Sequence, residues 1–469
     1  MIILGTNSIK DTGYDVDNSC RFNSGDSAYM HKALGTPTST KIGTLSTWFK
    51  RAKLDQEMNL LGAETDTNSR GYLQLDDGTN GILRFWWEEG GTVTNLITNR
   101  LFRDTSAWYH VVVAYDTSQS TASNRVKIYI NGTQETSFST ETYPGQDVTT
   151  CPWNISGYNT SVGAQKGGSG SYGTFFDGYQ AETVFIDGQQ LAPTEFGEFD
   201  SDSPTIWKPK DVSGLTFGNN GFYLDYEDSA NLGNDANGGT DFTEVNLAAT
   251  DQALDTCTNN YCTFNPLINA KGGNLTLSEG NLKLDIGAEA WKSALGTIAL
   301  NNGKWYWEAK CIDATWWHNN GVFSLDTGDI NNTSNPMNQT GYSGFYNADG
   351  GETRIDNTVS TGDYGLFAAN DILGFYLDCD NNQFTIYKNG SSHVSATNLG
   401  TGRTDLVPIA VYYFYSGKGE GEYNFGGCQS FTISSGNTDA NGYGNFEYSP
   451  TIGGVNYYAI NTKNLAEFG

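Results

Sequence analysis

The chain of 469 residues carries 53 acidic against 26 basic side chains, a formal net charge of −27, so its surface repels a phosphate backbone and nucleic acid is not expected as a partner. Glycine is abundant (57), proline sparse (10) and aromatic residues reach 13%. No window holds apolar residues at helical spacing between two caps, and together these features predict an all-β chain of short strands and many turns. Seven cysteines at irregular spacing, an odd count, argue against a disulfide framework, and Cys257 and Cys262 read as free thiols. The apolar start Met1–Leu4 is too short for a signal peptide and no run reaches the length of a membrane span, so membrane insertion is not expected.

In chain order, Asp17–Lys32 reads as two strands about a Ser24-Gly25-Asp26 turn, followed by period-two strands at Thr44–Ala52, Gly71–Leu75, Ile82–Trp87 and Thr92–Thr98. Then Ala107–Asp116 and Arg125–Thr133 form a meander. Val126, Ile128 and Ile130 alternate with polar or aromatic residues, and the strand breaks at Asn131-Gly132, a dipeptide suited to the positive φ values of a type I′ hairpin. The same unit returns later: Asp371–Asp380 precedes QFTIYKNGS at 383–391, with its own Asn389-Gly390. A meander used twice implies two domains, as the length allows. The first block closes with a strand over Phe176–Ile186 and a short helix or turn at Pro193–Phe199.

These elements fit a two-sheet sandwich. RFNSGDSAYM, STWFKRA, WYHVVVAYD, KIYINGT and FFDGYQAETVFIDGQQL together resemble laminin-G-like members of the concanavalin A-like lectin and glucanase superfamily over about residues 15–200. They are most similar to the versions in tailed-bacteriophage structural proteins. From Ser201 the texture turns to Asn, Asp, Gly and Thr, and residues 201–273 are expected to be an irregular connector with at least one strand, Gly221–Tyr226. The second block has a hairpin at Leu275–Ile286, then GKWYWEAKCID, the second meander, LVPIAVYYFY and EYNFGG. It resembles a SPRY domain over about 274–430, another antiparallel sandwich, and 431–469 is similar to the segment that follows such domains in phage proteins. The expected domains are therefore 1–200, 201–273, 274–430 and 431–469, two concanavalin A-like jelly-roll sandwiches and their attachments.

A glucanase of this superfamily would carry two carboxylates on one strand face. No Glu-apolar-Asp-x-Glu run occurs; Glu64-Thr65-Asp66 lacks the third acid and Asp225-Tyr226-Glu227-Asp228 falls in the expected connector, so both read as solvated turns and the chain is not expected to be an enzyme. Gly168, Gly170 and Gly173 match a phosphate-loop spacing without a following helix. His110 lies inside a strand, where a structural role is expected. What remains is binding surface, since aromatic rings stack on sugar faces while amides and carboxylates take hydroxyls. Trp316, Trp317, His318, Asn319 and Asn320 form one candidate glycan cluster, Tyr412, Tyr413 and Tyr415 a second, and Trp86 with Trp87 a third. The alternative is that these rings fill the sandwiches; neighbours on a strand face opposite ways, so only one of an adjacent pair is core. Calcium is a further option implied by relatives of the first domain, with Asp116, Asp177, Asp378 and Asp380 near strand ends. No other cofactor is expected.

The resemblance implies a non-enzymatic virion protein assembled in the host cytoplasm. The expected role is a tail fibre or surface appendage that binds host-surface polysaccharide, weak contacts being multiplied in a homo-oligomer. Two alternatives stay open: a capsid or tail decoration protein that binds other virion proteins, and a polysaccharide depolymerase.

Overall fold

The computed structural model describes residues 10–11, 13–66, 68–75, 81–148, 152–166, 170–268, 275–287, 291–312, 318–329, 336–347, 350–413 and 419–469. The chain divides into two compact units, Thr12–Thr258 and Asn259–Gly469, the second together with Met1–Asp11. Both are antiparallel sandwiches, all-β apart from short helices such as Thr462–Phe468. Among the described residues no helix is long and apolar enough to cross a membrane.

In the N-terminal unit one sheet, the meander sheet, runs Thr133–Gln134, Val126–Ile130, Tyr109–Asp116, Ile42–Arg51, Gly178–Asp187, Ser19–Phe22 and Gln252–Ala253. The facing sheet, here the aromatic sheet, runs Phe138–Thr142, Thr92–Leu101, Ile82–Glu89, Ser69–Leu75, Met58–Asp66, Asn159–Val162, Tyr29–Ala33 and Thr243–Val245. Leu45, Phe49, Val111, Val113 and Ile128 from the first meet Leu73, Leu83, Phe85 and Trp87 from the second in one core. The period-two pattern is the cause, because every second side chain of a strand points the same way. At the meander turns Asn131 and Gly132 have φ of 47° and 76°, and Asn389 and Gly390 have 50° and 73°. Both are therefore the paired left-handed residues of a type I′ hairpin.

The C-terminal unit repeats the plan. One sheet runs Leu275–Ser278, Lys283–Ile286, Gly419–Asn424, Lys304–Cys311, Ile372–Asp378, Gln383–Lys388 and Ser391–Asn398. The other runs Trp291–Leu295, Leu406–Tyr413, His318–Ser324, Tyr342–Tyr346, Glu352–Ile355 and Thr358–Thr361. The final residues join this unit: Tyr458–Ala459 pairs in parallel with Trp305–Tyr306, and the Asn461 side chain caps the last helix by accepting from Asn464 N.

Residues 201–258, expected as a connector, are instead built into the N-terminal sandwich. The expected strand is present as Phe222–Leu224, and it pairs with Thr183–Phe185. Gly178–Asp187 thus changes neighbour along its length, from Ser19–Phe22 at residues 178–180 to Phe222–Leu224 at residues 183–185. The register shifts between Ala181 and Val184, and Glu182 in that bulge has φ of 50°. Thr243–Val245 extends the aromatic sheet, while Phe222, Leu224, Tyr226, Leu232 and Phe242 enter the core. Buried ion pairs hold the segment, Lys50 to Asp255 at 2.7 Å, Lys32 to Asp235 at 3.2 Å and Arg21 to Asp251 at 2.9 Å. Scattered apolar residues in an Asn- and Gly-rich stretch hid a piece of the fold.

Candidate functional site

The outer face of the aromatic sheet is where the N-terminal sandwich offers rings and hydrogen-bonding groups together. On Ile82–Glu89 the residues Leu83, Phe85 and Trp87 enter the core, so Arg84, Trp86 and Glu88 stand on the other side, half-buried. Pairing across the sheet places Trp86 directly opposite Tyr72 on one neighbour and Asn95 on the other. The Tyr72 and Trp86 rings are nearly coplanar in orientation, 8° apart with centroids at 6.1 Å. Arg84 lies with its guanidinium carbon 4.4 Å from the Trp86 ring centroid and 5.8 Å from that of Tyr72, a cation–π arrangement. Its Nε donates to Asn95 Oδ1 at 3.2 Å, and Arg70 Nε meets Glu88 at 3.3 Å.

The same row continues through Gly62 and Ser161 to His31. A Cβ on Gly62 would meet Ala164 O at 2.7 Å, because the backbone of the hairpin formed by Gln165–Lys166 and Tyr172–Gly173 passes over it. This ridge separates Tyr72 and Trp86 from a second ring group. There Tyr29 and Tyr172 stack at 4.3 Å, with His31 at 5.4 Å from Tyr172 and Phe175 at 5.9 Å from Tyr29. Burial, and secondarily the charge of Lys166, lowers the His31 pKa, so the imidazole is neutral at pH 7 and behaves as another flat ring. One further feature marks the first group: the Trp86 indole Nε1 is shielded from solvent and has no hydrogen-bond partner among the described residues. A buried donor left unmatched is costly and is matched in most structures.

The third aromatic pair of the sequence analysis thus resolves into one core residue, Trp87, and one face residue, Trp86. Tyr72 and Arg84 were not singled out, although their strands were; the signal was their place on the polar phase of two neighbouring strands. Among the other candidates, Trp316, Trp317 and Tyr415 lie outside the described residues, as does Gly168. His318, Asn319 and Asn320 are corrected from ligand contacts to buried residues, 2%, 0% and 3% exposed. Their strand is flanked on both sides by other strands. His318 packs edge-on against Tyr412 at 4.5 Å. Asn319 donates to Val411 O and accepts from Asn347 N, and Asn320 accepts from Tyr423 OH, which also meets Tyr412 OH. Tyr413 is half-buried with its ring 4.9 Å from Trp291.

Of the four calcium candidates, Asp116 and Asp177 belong to the N-terminal unit and Asp378 and Asp380 to the C-terminal one. Asp116 accepts from Ser118 N, Ser118 Oγ and Gln119 Nε2. Asp177 accepts from Ser24 N and Oγ and sits 3.1 Å from Lys53 Nζ. Asp378 and Asp380 share Lys304, at 2.5 and 3.6 Å. These carboxylates serve turns and ammonium groups, and no group of three or more His, Cys, Asp or Glu converges as metal ligands among the described residues. His110 is a core residue: its Nδ1 accepts from Trp207 Nε1 at 3.0 Å, its Nε2 lies 2.8 Å from Ser46 Oγ, and burial pushes its pKa down to about 3.

Residues 23–190, which contain this face, match the family model of the concanavalin A-like lectin/glucanases superfamily, in its Laminin_G_3 form. No curated protein matches the chain significantly. Among solved structures, the SPRY domain of human HERC1 is similar at 16% identity, covering 36% of this chain and 99% of that one with a TM-score of 0.30. The CBM40 of the Ruminococcus gnavus IT-sialidase is similar at 14% identity, over 35% of this chain and 95% of that one, TM-score 0.26. Domain 4 of the arabinanase AbnA from Geobacillus stearothermophilus, solved with arabinotriose, is similar at 21% identity over 35% and 68%, TM-score 0.26.

Proposed function

We propose that this chain is a non-enzymatic recognition protein of a tailed-bacteriophage virion, a tail fibre or surface appendage that binds host-surface polysaccharide through the outer face of its aromatic sheet. The observation that carries the glycan reading is the half-buried Trp86 ring on the outer face, with Arg84 beside it and Asn95 directly across the strand pair. The Trp86 ring suits the apolar face of a sugar, and the Arg84 guanidinium and the Asn95 amide suit its hydroxyls. The superfamily match over 23–190, whose description includes lectins, supports the same reading. The virion setting rests on the sequence resemblance. A single shallow face of this kind binds weakly, so adhesion draws on copies presented together in a homo-oligomer.

The test is capture of the purified protein on a panel of bacterial surface polysaccharides, with the supernatant assayed for released oligosaccharide. Capture without release is expected, and Trp86→Ala should weaken it about tenfold or more, the scale of losing one well-placed aromatic contact. Capture undiminished in Trp86→Ala would remove the site. Failure on every polysaccharide would favour a decoration protein, and released product a depolymerase.

A further inference from the structure

On the outer side of the meander sheet the N-terminal unit holds a cavity of about 410 Å³. Val184 and Ile186 face this side, where they pack with Phe217 and Tyr223, while Phe185 between them faces the core. Tyr14, Phe217 and Tyr223 give the cavity its aromatic wall, with the Phe217 and Tyr223 rings 17° apart and 6.3 Å between centroids. Asp211, Asp225 and Glu227 supply its acidic edge. No Lys, Arg or His lines it, and none of these carboxylates makes an ion pair among the described residues. Behind the wall stands the carboxyl group of Glu182, 5% exposed. It accepts from Tyr223 OH at 2.9 Å and lies 3.5 Å from Tyr14 OH, and the two phenol oxygens are 3.3 Å apart.

Acidic groups with no cation among them raise one another's protonation, and here burial first and then Asp225 raises the Glu227 pKa. The cavity therefore favours a positively charged occupant. A bare metal ion is not favoured, because among the described residues no three metal-binding side chains converge and hard cations need six or more oxygens at short range. The half-buried Tyr14 ring instead complements a ring face and attracts an ammonium, while Ser213 and Asn237 at the rim offer partners to hydroxyls. We propose that this cavity binds an amino sugar whose amine is free and protonated, the ammonium meeting Asp225 and Glu227 and the ring lying against Tyr14. The site lies on the opposite side of the sandwich from the Trp86 face and does not depend on it.

The experiment is calorimetric titration of the full chain, at mildly acidic pH and low salt, with oligomers of glucosamine and with the matching N-acetylated oligomers. The glucosamine oligomer should bind at least about tenfold more tightly than its acetylated counterpart, since acetylation removes the charge; because it also adds an acetyl group, the carboxylate variants decide whether charge is the cause. Asp225→Asn with Glu227→Gln should abolish that difference, and Glu227→Gln alone, at an exposed position, should reduce it if the double variant misfolds. Equal affinity for the two oligomers, no saturable binding, or full binding by the folded variants would overturn the proposal. So would spermidine binding as tightly as the amino sugar.

Discussion

Replacing Trp87 by alanine removes an indole that is 2% exposed, with Phe85 and Tyr115 edge-on at 6.5 and 6.2 Å. Chemical denaturation should show a loss of about 3–5 kcal/mol, the usual range for truncating a buried aromatic. The same change at Trp86, which is half-buried on the opposite face, should cost much less, so the two variants separate packing from recognition. Glu182 makes a different kind of statement. Burial pushes its carboxyl up from the usual 4.5 to about 8, against weaker lowering by the Tyr223 hydroxyl. Between those values the folded chain holds a proton that the unfolded chain has released, so by linkage this group's contribution to stability falls as pH rises across the window. Glu182→Gln stays neutral and should flatten that fall. Melting temperatures near pH 4.5 and near pH 8 would check it: the variant should gain on the parent at the upper end, and an unchanged slope would contradict the assignment.

At the scale of elements, the alternating strands and their turns were readable from sequence because each feature is local. Val126, Ile128 and Ile130 set one face, and Asn131-Gly132 sets the reversal. The turn glycine carries more than its own conformation. A Cβ on Gly132, at φ 76°, would come within 2.3 Å of the Trp207 ring, whereas one on Gly390, at φ 73°, would come within 2.8 Å of Tyr448. Gly132→Ala should therefore lower the urea midpoint more than Gly390→Ala, with each losing more than about 1 kcal/mol, as expected for Ala at positive φ. Other elements were not legible. Thr243–Val245 and Gln252–Ala253 are too short to show a period, and partners far away in sequence determine them, as they determine what the expected strand at Phe222–Leu224 pairs with. His-Asn-Asn at 318–320 looked like a solvated loop, yet the strand is central and main-chain groups such as Val411 O satisfy its amides. The Tyr72–Trp86 half of the site was visible in principle from two adjacent strands, but the pairing that sets them face to face was not. The acidic cavity joins residues 14, 211 and 227, and no sequence window contains all of them.

At the scale of the molecule, the N-terminal sandwich depends on charged residues that tie its strands to the segment after residue 200. Lys50 and Asp255 are each about 1% exposed in their side chains, and Asp255 also accepts from Trp108 Nε1 at 3.1 Å. Asp255→Ala would strand a buried ammonium, so a loss of about 3–5 kcal/mol is expected in equilibrium unfolding of the full chain. An unchanged stability would mean that the pair is replaceable. The change of partner along Gly178–Asp187 matters as the chain is made. A ribosome delivers residues in order, and the half of this strand that Phe222–Leu224 covers has no neighbour on that side until those residues emerge. Ser19–Phe22 likewise waits for Gln252–Ala253. Until then the nascent chain presents open strand edges, the feature that invites pairing with a neighbouring copy. The chain thus risks aggregation during the synthesis of residues 188–253, before its first domain can close.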